Sequence, residues 1–246
     1  MDLIEVSQVV EALSLGPHEL VSIVGAGGKT TLTFAIANQL RGHRVVTTTT
    51  KMGRDQYGDA PVLVGPTDQE LATALEANPV VQVWGGVDSH KAIGCNPDDV
   101  GRWFDLADHV VVESDGARRR PFKAPRVFEP PVPARTTTAI AVIGADALGR
   151  VIADRCHRPL RVAAVGECSP WERLSPEIAA RVLTSGRGTR KNIPAGARFV
   201  VAINKVMPDD HLAAELAGIL TAAGQESVTI AHHSNRPRTP PNPRLF

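Results

Sequence analysis

The chain has 246 residues, with 27 Lys and Arg against 26 Asp and Glu and a formal net charge of +1. That length can bury a substantial core, and the charge balance excludes a global field able to hold a nucleic acid or an anionic membrane. Hydrophobic residues at 43% and charged residues at 22% exclude wholesale disorder, and 4% aromatics leave too few platforms for stacking single-stranded bases.

The N-terminal MDLIEVSQVVEAL is acidic and amphipathic, and its spacing predicts a helix over 3–13. It lacks a basic segment ahead of an apolar core, and no later run reaches ~18 apolar residues, so a soluble, cytoplasmic protein is expected. Short β-branched runs predict strands near 20–24, 44–48, 62–64, 80–84, 109–113, 138–143, 199–204 and 228–231. Between them, helices are expected over 29–41, 68–77, 97–107, 176–184 and 209–223, several opened by Pro, Ser, Thr or Asp. This alternation predicts an α/β fold with a mainly parallel sheet flanked by helices. One domain is expected over 1–235, followed by a Pro-rich tail at 236–246. Cys95, Cys156 and Cys168 form no CxxC pair and read as small buried side chains. Cys156-His157 with Cys168 falls short of the four paired ligands of a structural zinc site.

The most informative segment is VSIVGAGGKTTL, in which a β run stops at Gly25 and a helix opens at Lys29. Glycines allow successive N–H groups to curl around an anion, the helix start adds its positive dipole end, and Lys29 supplies a point charge. Thr30 can place its hydroxyl on Mg²⁺. Gly25, Ala26, Gly27, Gly28, Lys29, Thr30 and Thr31 are therefore the expected cradle for a nucleoside triphosphate. The spacing G-x-x-G-K-T is two residues shorter than the standard phosphate loop and resembles the short loop of the Mur ligase and folylpolyglutamate synthetase group. A dinucleotide fingerprint fits less well, since Thr30 occupies the third glycine position and the second strand ends in Thr47–Thr50, with no acid for a ribose.

Downstream, HVVVESDGARRRPFKAP sets Glu113 and Asp115 at the end of a strand, where Mg²⁺ or its water would be held. Arg118, Arg119, Arg120 and Lys123 follow, read either as a solvated run or as a mobile clamp for phosphate or an anionic substrate, with Lys123 the first candidate. The Pro-rich stretch 121–133 reads as an active-site loop. In TTTTKMG, Thr49, Thr50 and Lys51 are candidate switch contacts, Thr49 among the metal ligands. Asn204-Lys205 ends a late strand as a base-recognition pair does, but Met207 stands where the carboxylate for guanine belongs, leaving ATP and GTP both open.

In this order, VGAGGKTTL, TTTTKM, VVVESDGARRRPFKAP, VIGADALG, the HRP of His157–Pro159, GRGTRKNIPAGAR and INKV resemble the YqeC family of selenium-dependent hydroxylase accessory proteins. The family pattern EADGAKGRP stands here as ESDGARRRP. The resemblance implies a phosphate-loop NTPase-like, three-layer fold and a role in maturing a molybdenum hydroxylase or its cofactor. Read together, the expected function is a Mg²⁺-dependent NTPase with catalytic Glu113, Asp115 and Lys123. The alternatives are a small-molecule kinase or Mur-like ligase on the same loop, and a non-catalytic nucleotide-sensing module that docks on a partner.

Overall fold

The computed structural model describes residues 2–53, 60–88 and 91–232; the tail expected at 236–246 lies outside them. Nine strands form one sheet: β1 (Leu3–Ile4), β2 (Glu19–Gly25), β3 (Arg44–Thr48), β4 (Val62–Val64), β5 (Val80–Trp84), β6 (His109–Glu113), β7 (Thr138–Gly144), β8 (Arg198–Val206) and β9 (Ser227–Ala231). Their order is β1-β9-β8-β7-β2-β6-β3-β5-β4, and every pairing is parallel. The central strands are covered on both faces, which is why they read as near-continuous apolar runs.

Helices cover both faces, giving three layers. Helix α1 (Lys29–Gln39) sends Leu32 and Ile36 against Val21, Ile23, Val111 and Val142. On the other face, α2 (Asp68–Ala77) and α3 (Pro97–Trp103) pack Leu71, Leu75 and Trp103 on Val45, Val83 and Val110. That face is completed by α4 (Pro159–Gly166), α5 (Pro176–Thr184) and α6 (His211–Ala222), whose Val162, Leu183 and Leu216 meet Ile143, Val201 and Ile203.

The N-terminal helix expected over 3–13 is mostly something else. Leu3 and Ile4 pair with Thr229 and Ile230 at the edge of β9, and a capping box between Glu5 and Gln8 then starts a 3₁₀ turn at Val6–Gln8 and one helical turn at Val9–Ala12. Helix α3 stops at Trp103, short of the expected 107, and α6 starts at His211 because Asp210 caps it. Helix α4 was not expected. Two small sheets lie outside the main one: Met52–Gly53, Gly86–Val87 and Lys91–Ile93 in antiparallel array, and Phe122–Lys123 parallel to Cys156–His157.

After β2 the chain builds β3, β4 and β5 to one side and returns through β6, then passes β2 to lay down β7 and β8 on the other. The carboxyl end of β2 thus lies at a switch point in strand order, where a parallel sheet leaves a crevice.

Candidate functional site

At that crevice β2 ends in Gly25, and Gly25, Gly27 and Gly28 all take positive φ, of 89°, 96° and 120°. A Cβ on Gly27 would stand 2.1 Å from Gly144 N and 2.8 Å from Pro121 O, so only glycine fits. Ala26 N–H donates to Val142 O at 2.8 Å, tying the turn to β7. The first closing bond of α1 is Leu32 N–H to Gly28 O at 3.1 Å, and Gly28 offers no side-chain cap. The N–H groups of Lys29, Thr30 and Thr31 therefore have no acceptor among the described residues and face outward at the positive end of the helix.

Lys29 is 4% exposed, with Nζ 3.4 Å from Glu113 Oε1 and 3.4 Å from Asp115 Oδ1. Burial acts to lower its pKa, but the Glu113 and Asp115 carboxylates outweigh burial and the pKa is raised, so the ammonium stays charged. Thr30 Oγ1 donates to Glu113 Oε2 at 2.8 Å. Asp115 Oδ2 accepts from Gly25 N–H at 3.2 Å and lies 3.0 Å from Lys123 Nζ. Asp115 Oδ1 is buried without a hydrogen-bond partner.

Lys123 corrects the expectation of a mobile, solvated run. It is 1% exposed, on the short strand beside Cys156–His157, and its Nζ also donates to Gly116 O at 2.8 Å and to Glu129 Oε2 at 3.0 Å. Arg158 then grips Glu129 with both guanidinium nitrogens, Nη2 to Oε1 at 2.6 Å. Burial pushes the Glu129 carboxyl up, yet the Arg158 hydrogen bonds and Lys123 hold it at about 2. Lys29, Lys123 and Arg158 thus alternate with Glu113, Asp115 and Glu129 in one linear chain of ion pairs with three positive and three negative members.

Four members of this network, Lys29, Glu113, Glu129 and Arg158, line a cavity of about 570 Å³, walled also by Thr50, Lys51, Lys91, Arg118, Arg119, Arg120, His157 and Lys205, while Asp115 and Lys123 lie buried behind them. Thr49 is not among the lining residues: its hydroxyl donates to Pro131 O at 2.8 Å, and it is Thr50 and Lys51 of that segment that line the wall. Thr47 and Thr48 bond the backbone of Val83 and Glu113. Asn204 Nδ2 donates to Gly27 O at 2.9 Å, which makes it a brace for the glycine turn, while Lys205 reaches the cavity and lies 3.5 Å from Asp146. Arg118 and Arg119 have φ of 50° and 59°, and Arg120 N–H closes the turn on Ala117 O at 3.0 Å. Left-handed backbone costs a non-glycine residue roughly 1–2 kcal/mol.

Residues 21–160, more than half of the chain, match the sequence profile of the family described as YqeC protein. An Escherichia coli (strain K12) relative described as "Uncharacterized protein YqeC" is 31% identical over 194 residues, covering 76% of this chain and 75% of that one. The chain belongs to the YqeC family. No solved structure matches it. The span matched to the YqeC profile includes the glycine turn, Glu113, Asp115, Lys123, Glu129 and Arg158, and it stops before Asn204 and Lys205. Glu129 and Arg158 are not assigned a role by sequence reasoning; the available signals are that Glu129 is the sole acid between Pro121 and Pro133 and that Arg158 stands in the HRP segment shared with the family pattern.

Among the described residues no group of three or more His, Cys, Asp and Glu is arranged to hold a metal, and no helix is long and apolar enough to cross a membrane. Cys95 and Cys156 are buried free thiols, raised to about 11 and about 12 by burial; Cys168 is half-buried and free.

Proposed function

We propose that the chain is a Mg²⁺-dependent nucleoside triphosphate-binding protein that hydrolyses or transfers the terminal phosphoryl group. The observation that carries this reading is the row of unpaired N–H groups at the start of α1, with Lys29 and Thr30 beside Glu113 in the wall of a cation-lined cavity and Asp115 buried behind Lys29. Such a helix start holds phosphate oxygens, and Lys29 adds a charge that can move from its carboxylates to the β- and γ-phosphates. The Thr30 hydroxyl and Glu113 in the cavity wall are hard oxygen donors of the kind Mg²⁺ prefers, and Asp115, paired with Lys29 behind them, adds negative charge beside the ion. When bound, that ion would neutralise charge on the phosphates.

Asn204 donates to Gly27 O and so is committed to the turn, and ATP and GTP are both candidates. By family resemblance alone, the activity would serve maturation of a molybdenum hydroxylase or its cofactor in the cytoplasm. Calorimetric titration with ATP and GTP, with and without Mg²⁺, combined with a phosphate-release assay, tests the proposal. Micromolar binding that requires Mg²⁺ and Lys29, with turnover, is the expected result. Binding without turnover, even with a client hydroxylase present, would leave the sensing module; absence of binding to either nucleotide would overturn the reading.

A further inference from the structure

We propose that Arg118, Arg119, His157 and Arg158 form a second oxyanion subsite in the same cavity, which takes a phosphate-bearing co-ligand beside the nucleotide. The inference deepens the nucleotide reading but rests on separate observations. Arg118 and Arg119 line the cavity, are exposed, and have no ion pair or side-chain hydrogen bond among the described residues. By contrast Lys29, Lys51, Arg120, Arg158 and Lys205 each have a partner in the chain, and Lys91, on the short antiparallel sheet, is the other wall cation without one among the described residues. The two carboxylates in the wall, Glu113 and Glu129, are themselves matched by lysine and arginine, so the two free arginines leave positive charge uncompensated.

Their backbone points the same way. A turn with both central residues at positive φ is the form that Asn-Gly adopts without strain, and two consecutive arginines there are held against their own preference. Strain of this kind persists where the placement of the side chains matters. Arg158 also sits at positive φ, 60°, and its Nε is buried with no acceptor, so its guanidinium retains an unused donor beside Glu129. Burial, then Arg158, Lys123 and Arg118, push the His157 imidazole down to about 4; it faces the cavity neutral near pH 7, able to donate one hydrogen bond.

This subsite is distinct from the Lys29 turn. From Lys29 the contacts run to Asp115, then Lys123, then Glu129, and only then Arg158, so three charged side chains separate the two ends. A doubly charged oxyanion matches the guanidinium forks, and two sources share that chemistry: a phosphate monoester or inorganic phosphate.

The test titrates inorganic phosphate and, separately, glycerol 3-phosphate into the full chain by calorimetry, alone and after saturation with Mg²⁺ and a non-hydrolysable nucleotide. The comparison protein is the Arg118→Asn, Arg119→Gly double variant, which suits the turn and should melt at the same or a higher temperature. The expected result is one anion bound per chain after saturation with nucleotide, weakened about tenfold or more in the double variant, whose nucleotide affinity stays within about twofold of the parent. Tighter binding of the ester assigns the subsite to a phosphorylated co-ligand, and tighter binding of inorganic phosphate assigns it to released product. Anion binding that depends on the arginines while no nucleotide binds would sustain the subsite and remove the nucleotide reading. The subsite is overturned if neither anion binds, if nucleotide displaces both, or if the double variant loses nucleotide and anion alike.

Discussion

Lys123 Nζ lies 3.0 Å from Asp115 Oδ2, with the two side chains 1% and 3% exposed. The last cation of a run that reads as surface is thus an internal counter-ion, and its neighbours Arg118 and Arg119 have a different role. A buried ion pair adds little by itself, but stripping one partner from it is costly, because the remaining charge has neither water nor a partner.

Lys123→Ala should therefore destabilise the fold by about 2–3 kcal/mol, since Asp115 and Glu129 both lose its ammonium in a buried site while keeping Lys29 and Arg158 as second partners. Urea unfolding at neutral pH reads this directly. A solvated lysine would cost only a few tenths of a kcal/mol, and a change that small would show that Lys123 is not locked between its two carboxylates.

Lys29→Ala should weaken Mg-nucleotide binding by ~10- to 150-fold through loss of charge-assisted contacts worth roughly 1.5–3 kcal/mol. Calorimetry against the parent decides it. Parental affinity would remove Lys29 from the phosphate site.

Glu113→Gln should lower phosphate release by about 10²-fold or more while changing nucleotide affinity much less, because the carboxylate's charge matters most as the phosphoryl group moves. The single amide oxygen of glutamine can stay with Lys29 while its NH2 group donates to the Thr30 hydroxyl, which turns to accept, so the fold should be retained. Steady-state turnover set beside a binding isotherm separates the two effects; turnover equal to the parent's would assign Glu113 to structure.

Glu129 gives a pH dependence. Its folded pKa of about 2 lies below the ordinary 4.5, so its contribution to stability is complete above 4.5 and is lost as pH falls through about 2. Glu129→Gln should be less stable than the parent at neutral pH, and the gap should close between those two values. Stability curves for parent and variant that run parallel through that window would contradict the assigned pairing with Arg158 and Lys123.

The central strands were legible because β-branched runs between Gly, Pro and charged residues can do little else in a chain of this composition. Strand β3 and helices α2 and α5 begin and end at the expected residues, the two helices under caps, Thr67 and Ser175, visible in the sequence. Strand β1 was not legible. Two residues carry no periodicity, and their partner is β9, more than two hundred positions away. The convergence of Lys29, Thr30, Glu113 and Asp115 was readable, since strand ends in a parallel sheet share one edge. Burial of Lys123 was hidden because it depends on Glu129 and Arg158, which come from a proline-rich loop and from the residue before an unexpected helix. Among the four threonines after Val46, alternation along a strand cannot tell which hydroxyl turns to the cavity once the strand has ended; the carbonyl of Pro131 takes Thr49.

The missing side chain at Gly27 sets a distance. With Gly144 N only 2.1 Å from where a Cβ would sit, a single added methyl could be accommodated only by moving the turn away from the carboxyl end of β7 or pulling Pro121 off its bond to Gly144 N–H. The glycine thus acts as a spacer between the first half of the chain and the second. Any sequence that keeps this strand register and this turn must leave that position bare, whatever ligand the crevice holds.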